Sequence, residues 1–234
     1  MITILNDNTY GWEAAVRGMR NPMNSWEKSD SEFYHEDGAF HDILLREKSG
    51  KLGAGAIIIG KNDLALMSRL ARAGSVEGKF RRMIVVSCDI IAPLYWWKEF
   101  DTYKVGTVTN SCSTMHKIHE KEFEIFDFSY EHLSQESKEQ LLSTIRLLNQ
   151  FRYVYNNWDS RHSSGLWYGI TTREDAWWNM IQLLPSSYNQ KRTVMLNYEV
   201  LANIYLSRKN HKLDEWREFC KWIVDLPYSE LIIG

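Results

Sequence analysis

A helix-rich α+β fold is what this chain of 234 residues predicts, from three observations. Several long segments carry apolar residues at helical spacing behind good capping residues. A few short β-branched runs are scattered between them, without the regular strand–helix alternation of a doubly wound sheet. The composition, 44% hydrophobic and 25% charged, suits a single soluble domain over residues 1–234 with a sizeable core.

Along the chain, the first forty residues are polar and aromatic, with helical spacing only around Trp12–Met19. Residues 46–62 read as a glycine-rich turn holding a short strand, Ala56–Ile59. Asn62 and Asp63 are placed to cap a helix carrying Leu66, Met67, Leu70 and Ala71, which Gly74 stops. Met83–Ile91 reads as a buried strand with Asp89 as its one charge, and Pro93 suits the first turn of a helix through Trp96, Trp97 and Phe100. The hydroxyl-rich Val105–Met115 reads as a loop. A long helix spans roughly Gln135 to Trp158, with Leu141, Leu142, Ile145, Leu148 and Phe151 on one side. After a loop over Arg161–Ile170, Thr171 and Glu174 form a capping-box pattern for a helix to Leu184, which Pro185 ends. Ser187–Leu196 alternates as a strand, Asn197 caps a helix over Tyr198–Arg208, and a last helix covers Asp214–Val224.

Composition also sorts the function classes. With 28 basic against 30 acidic residues, the chain lacks the footprint of a nucleic-acid polymer binder. No apolar run approaches the roughly 20 residues of a spanning helix, and no basic, then apolar, leader is visible, so a cytoplasmic protein is expected. Cys88, Cys112 and Cys220 are too few and too scattered for a disulfide framework. His116 and His119 have helical spacing but no defined third ligand, so no metal is expected. The densest polar stretch runs Lys98-Glu99-Phe100-Asp101-Thr102-Tyr103-Lys104 and continues through Thr107, Asn110, Ser111 and Ser113. Hydroxyls and exposed amides of such a stretch suit a phosphate, with the competing reading of a solvated helix end. A second cluster joins Arg192, Asn197, Asn203 and Arg208.

The order of these motifs resembles the flavin-dependent thymidylate synthases. Their downstream signature, L-P followed by N-x-R-x-L-x-N-x-x-x-x-R, is matched by Leu184-Pro185, Asn197, Leu201, Asn203 and Arg208, with Glu199 in place of the first arginine. Upstream, Ala92-Pro93 and Lys98-Glu99-Phe100 align with the lead-in to the family's R-H-R-x-x-S-x-N-E-x-S. There the R-H-R triplet falls on Thr102-Tyr103-Lys104, and Thr107, Asn110 and Ser113 take the serine, asparagine and second serine. The resemblance implies a mixed sheet with long helices, a homotetramer with active sites at subunit junctions, and one-carbon transfer to the base of dUMP. FAD is the implied cofactor, with NADPH and methylenetetrahydrofolate as co-substrates. By the same resemblance Arg208 and Tyr103 are the catalytic candidates. Lys98, Glu99, Lys104, Thr107, Asn110, Ser113 and Arg192 are candidates for holding the nucleotide, and Asn197, Asn203, Arg81 and Arg82 for the flavin. The lost arginines leave an alternative, a non-catalytic nucleotide-binding or interaction protein on the same fold.

Overall fold

The computed structural model describes residues 1–33, 57–160 and 169–234. The glycine-rich turn over 46–56 and most of the loop expected over 161–170 lie outside the described residues. The observed fold is α+β and helix-rich, with a four-stranded sheet of order β1-β4-β6-β5 formed by β1 (Thr3–Tyr10), β4 (Val85–Pro93), β6 (Asn189–Asn197) and β5 (Thr107–Ser111). A two-stranded ribbon pairs β2 (Glu32–Phe33) antiparallel with β3 (Ile57–Ile58), Phe33 opposite Ile57. The chain forms two compact units.

The larger unit holds residues 2–90, 100–110 and 192–234. Its helices are α1 (Trp12–Arg20), α2 (Lys61–Arg72), α7 (Tyr198–Arg208), α8 (Asp214–Val224) and the short α9 (Glu230–Ile233). Along β4, Val86, Cys88 and Ile90 are buried, whereas alternate residues are half-buried. The strand therefore faces a core on one side only, not on both as its apolar run suggests. On its other side the Asp89 carboxylate accepts from Asn6 Nδ2 at 3.0 Å and from Thr193 Oγ1 at 2.6 Å, tying β1, β4 and β6 together. With Tyr198 N–H donating to Ile84 O, the contacts place β4 antiparallel to β6. Trp12 meets the rings of Tyr198 and Tyr228 edge-on at 5.3 and 5.2 Å, anchoring α1 to α7.

The other unit holds Met1 and residues 91–99 and 111–191. Here α3 (Leu94–Phe100) contributes all but its last residue, followed by α4 (Thr114–Lys117), α5 (Gln135–Asn156) and α6 (Arg173–Leu183). The stripe Leu141, Ile145, Leu148, Phe151 of α5 is buried against Ala176 and Met180 of α6, as its spacing predicts. Leu142 lies outside that stripe and is exposed. Trp97 is buried and its Nε1 donates to Gln190 O at 2.9 Å.

Four local expectations change. Thr3–Tyr10 forms a strand despite its Asn/Asp content, because it pairs beside β4 in the sheet; Asn6, at a positive φ of 55°, reaches Asp89 with its side chain. Val105–Met115 is not a plain loop: Thr107–Ser111 is β5, paired in the sheet with β6. The box opening α6 is Thr172 with Asp175, one residue beyond the expected pair. Asp63 does not cap α2; its carboxylate accepts from Arg20 instead.

Candidate functional site

Asn197 ends β6 and starts α7, its side chain accepting the N–H of Val200 at 3.0 Å. An Asn in this place satisfies one of the orphan donors of the first helical turn. Against this cap lies Gly106, at a φ of +77°, where an added Cβ would sit 2.6 Å from Asn197 Nδ2. Only glycine accommodates both the left-handed backbone and this close approach. The cap and the glycine together hold the segment 100–110 beside α7.

That packing brings Tyr103 to Arg208. The guanidinium Nε donates to the Tyr103 hydroxyl at 2.9 Å, and its carbon lies 4.8 Å above the Trp216 ring. The other flank of Arg208 meets His211, with 3.0 Å between Nη1 and Nε2. Phe100 stacks on Trp216 at 6.3 Å and completes the aromatic floor. Held on a ring face and from its edge, the guanidinium keeps a defined orientation, as a bidentate recognition group requires.

A pocket of about 300 Å³ adjoins this cluster, lined by Phe100, Asp101, Tyr103, Lys104, Thr107 and Thr109. Arg192, largely buried, donates through Nη1 to Asp101 Oδ1 at 2.7 Å. Lys104 is exposed, and the Thr107 Oγ1 is buried with no hydrogen-bond partner among the described residues. An unmet buried hydroxyl costs roughly 1–3 kcal/mol.

Of the flavin candidates, Arg82 falls on a second feature of the same unit. A groove of about 800 Å³ runs between α1, α2 and the 3₁₀ segment Glu77–Met83. Met19, Leu66, Leu70 and Phe80 give it an apolar floor, and Lys28, Arg69, Lys79 and Arg82 a cationic rim. Arg82 pairs with Glu199 of α7, and the bond raises its pKa. Lys28, Arg69 and Lys79 have no ion-pair partner among the described residues. Arg81 turns away, donating to Gly78 O and Leu231 O, and burial pushes its pKa down. Size, apolar floor and unpaired cations fit a flat ring system bearing phosphates, which is the chemistry of FAD. Asn203 is exposed on α7, whereas the Asn197 carbonyl is committed to its cap.

Of the sequence candidates, Tyr103, Lys104, Thr107, Arg192, Asn197 and Arg208 thus come together in the larger unit, while Asn110 is exposed on β5. Lys98, Glu99 and Ser113 belong to the other unit. There Lys98 is exposed, Glu99 half-buried, and the Ser113 hydroxyl is engaged as the cap of α4, accepting the His116 N–H at 3.1 Å. His211, Trp216 and the cations Lys28 and Arg69 carry no motif in the sequence that marks them for the site. His211 lies three residues beyond Arg208, a spacing that was the one available signal for it. Among the described residues no three His, Cys, Asp or Glu side chains gather to hold a metal, and no helix is long and apolar enough to cross a membrane.

No protein-family model and no curated protein sequence matches the chain. Solved structures do. A flavin-dependent thymidylate synthase, ThyX, from Helicobacter pylori, solved with FAD and dUMP, is 16% identical at a TM-score of 0.61, over 98% of this chain and 97% of that one. A second structure of ThyX from Helicobacter pylori with FAD and dUMP gives 15% identity and a TM-score of 0.62 over 100% and 98%. PolB from Streptomyces cacaoi, a UMP/dUMP methylase bound to 5-bromo-dUMP, is 16% identical at a TM-score of 0.54 over 98% and 93%. The chain has the fold of these proteins along nearly its whole length.

Proposed function

We propose that the protein is a divergent thymidylate synthase-like enzyme whose single functional domain spans residues 1–234. It binds a pyrimidine deoxynucleotide of the dUMP type and transfers a one-carbon unit to the base. The observation that carries this reading is the Tyr103–Arg208 pair at the pocket lined by Lys104 and Thr107, on a fold whose solved relatives hold dUMP or its 5-bromo analogue. Arg208 orients the base and Tyr103 completes its hydrogen bonding. Lys104 and the amides after Thr107 receive the phosphate, with Asn110 at the margin. Arg192 holds Asp101 so that its carboxylate does not oppose the anion.

FAD is the proposed cofactor, held by the groove that Arg82 lines. When bound it supplies the redox capacity of the reaction, with NADPH and methylenetetrahydrofolate as co-substrates. The chain's own part is to seat the ring on the apolar floor, exclude water, and meet the phosphates with Lys28, Arg69 and Lys79. We extend the proposal to a cytoplasmic homotetramer, as the family resemblance implies.

The test is direct. Purified protein is expected to take up FAD with a visible flavin spectrum and to melt at higher temperature with dUMP, by mass action. Arg208→Ala should lower dUMP affinity by a factor of about 10 to 100, the worth of a charged hydrogen bond. A colourless protein that no pyrimidine nucleotide stabilises sinks the proposal. One observation favours the alternative of a non-catalytic nucleotide binder: Glu199 stands where the resemblance places an arginine, and it neutralises Arg82. Turnover of methylenetetrahydrofolate with dUMP excludes that alternative, and tight binding without turnover establishes it.

A further inference from the structure

We propose that Tyr103 sets base specificity, selecting a pyrimidine with a keto oxygen at C4 over one with an amino group there. This assignment rests on the nucleotide-binding reading above and adds the residue that reads the base. A guanidinium has donors only, so in the 2.9 Å contact from Arg208 Nε the phenol oxygen of Tyr103 is the acceptor. The phenol's own proton is therefore directed elsewhere, and no acceptor among the described residues meets it. Tyr103 lines the pocket of about 300 Å³ together with Thr107, whose Oγ1 is buried and without a partner among the described residues. The pocket thus offers, at Tyr103, a group that must donate.

The edges of the two bases answer this donor differently. Uracil presents the O4 acceptor next to the N3–H donor; cytosine presents an amino donor next to the N3 acceptor. Opposite Tyr103, O4 accepts the phenol proton. An amino group in the same place sets donor against donor. Asp101, whose Oδ1 accepts from Arg192 at 2.7 Å, is the one carboxylate lining the pocket, so the preference rests on O4 standing opposite Tyr103. O2 is common to both bases and discriminates nothing. O4 is conjugated with C5, the carbon that the proposed reaction extends, so a donor polarised by a neighbouring guanidinium stabilises charge where it gathers.

Titration calorimetry with dUMP and dCMP, on the wild type and on Tyr103→Phe, tests this. The variant keeps the ring contacts to Phe100 and Trp216 and removes only the hydroxyl. The wild type is expected to bind dUMP at least about tenfold more tightly than dCMP, as a site built to hydrogen-bond one partner rejects the other. Tyr103→Phe should bring that ratio near one, mainly by losing dUMP affinity. A preference unchanged in a folded variant, or a wild-type ratio near one measured independently of any variant, overturns the role of Tyr103 while leaving nucleotide binding standing. Failure of the wild type to bind either nucleotide overturns both.

Discussion

Asp63 shows how a residue's type and its task part company. Its carboxylate is fully buried, accepts from Arg20 Nε at 2.7 Å, and takes the hydroxyls of Ser29 and Ser31 at 2.6 Å each. The cap of α2 comes instead from Asp30, which accepts the N–H groups of Asn62 and Asp63 at 2.9 and 3.0 Å. Removing one partner of a buried pair strands the other charge, so Asp63→Ala should cost about 3–5 kcal/mol in urea unfolding. Replacing both Arg20 and Asp63 with apolar residues should recover much of that loss, because most of the penalty is the stranded charge. An equal loss in the single and double variants would show that the seryl bonds, not the ion pair, matter. Asp63 had the spacing of a cap and sat where one was needed. Only the approach of a segment more than thirty residues away gives it another role.

Elements were legible where their signals are local. The bounds of α7 and α8 follow from a capping Asn and from apolar spacing, with no distant contact required. The start of α6 was nearly so: Thr172 caps Asp175 while the Asp175 carboxylate accepts from the Thr171 hydroxyl and from both threonine N–H groups. Those bonds, the Thr171 hydroxyl foremost, hold the Asp175 carboxyl below its ordinary value of 3.8. A lowered folded pKa means that its contribution is complete above that ordinary value and is lost as pH falls through the folded one. Thermal melts between about pH 5 and about pH 3 should therefore show a steeper loss for the wild type than for Asp175→Asn. Parallel acid limbs would remove the carboxylate from the stability of α6. Strand β5 was illegible for the opposite reason. Thr, Asn and Ser favour turns, and only the sheet neighbour β6 makes Thr107–Ser111 a strand.

At the scale of the whole molecule, the three cysteines report on how the fold is closed. Cys88 and Cys220 are buried and Cys112 is exposed. Burial pushes the Cys88 thiol up to about 12 and the Cys220 thiol up to about 11. Near neutral pH a thiol reagent should thus modify one cysteine promptly, with the other two reacting only as the protein opens. Three fast thiols in native protein would contradict the packing of β4 and α8. The aromatic surplus divides by the same rule. Trp12, Trp96, Trp97 and Trp216 are buried, whereas Trp26 and Trp178 remain about half exposed, a distinction that aromatic counts do not make.

The sequence alone determined the helix-rich α+β class, the long helices and their caps, and the motif order shared with the thymidylate synthase fold. Each of these depends on residues within a few positions of one another, where periodicity and capping chemistry act. The tertiary structure alone decided that Tyr103 meets Arg208, that Glu199 answers Arg82, and that Asp89 joins three strands. These pairs lie 83 to 117 residues apart. At that separation no local propensity marks one partner for the other. They meet because helices and strands must bury their apolar faces, and burying those faces fixes which polar groups come within reach.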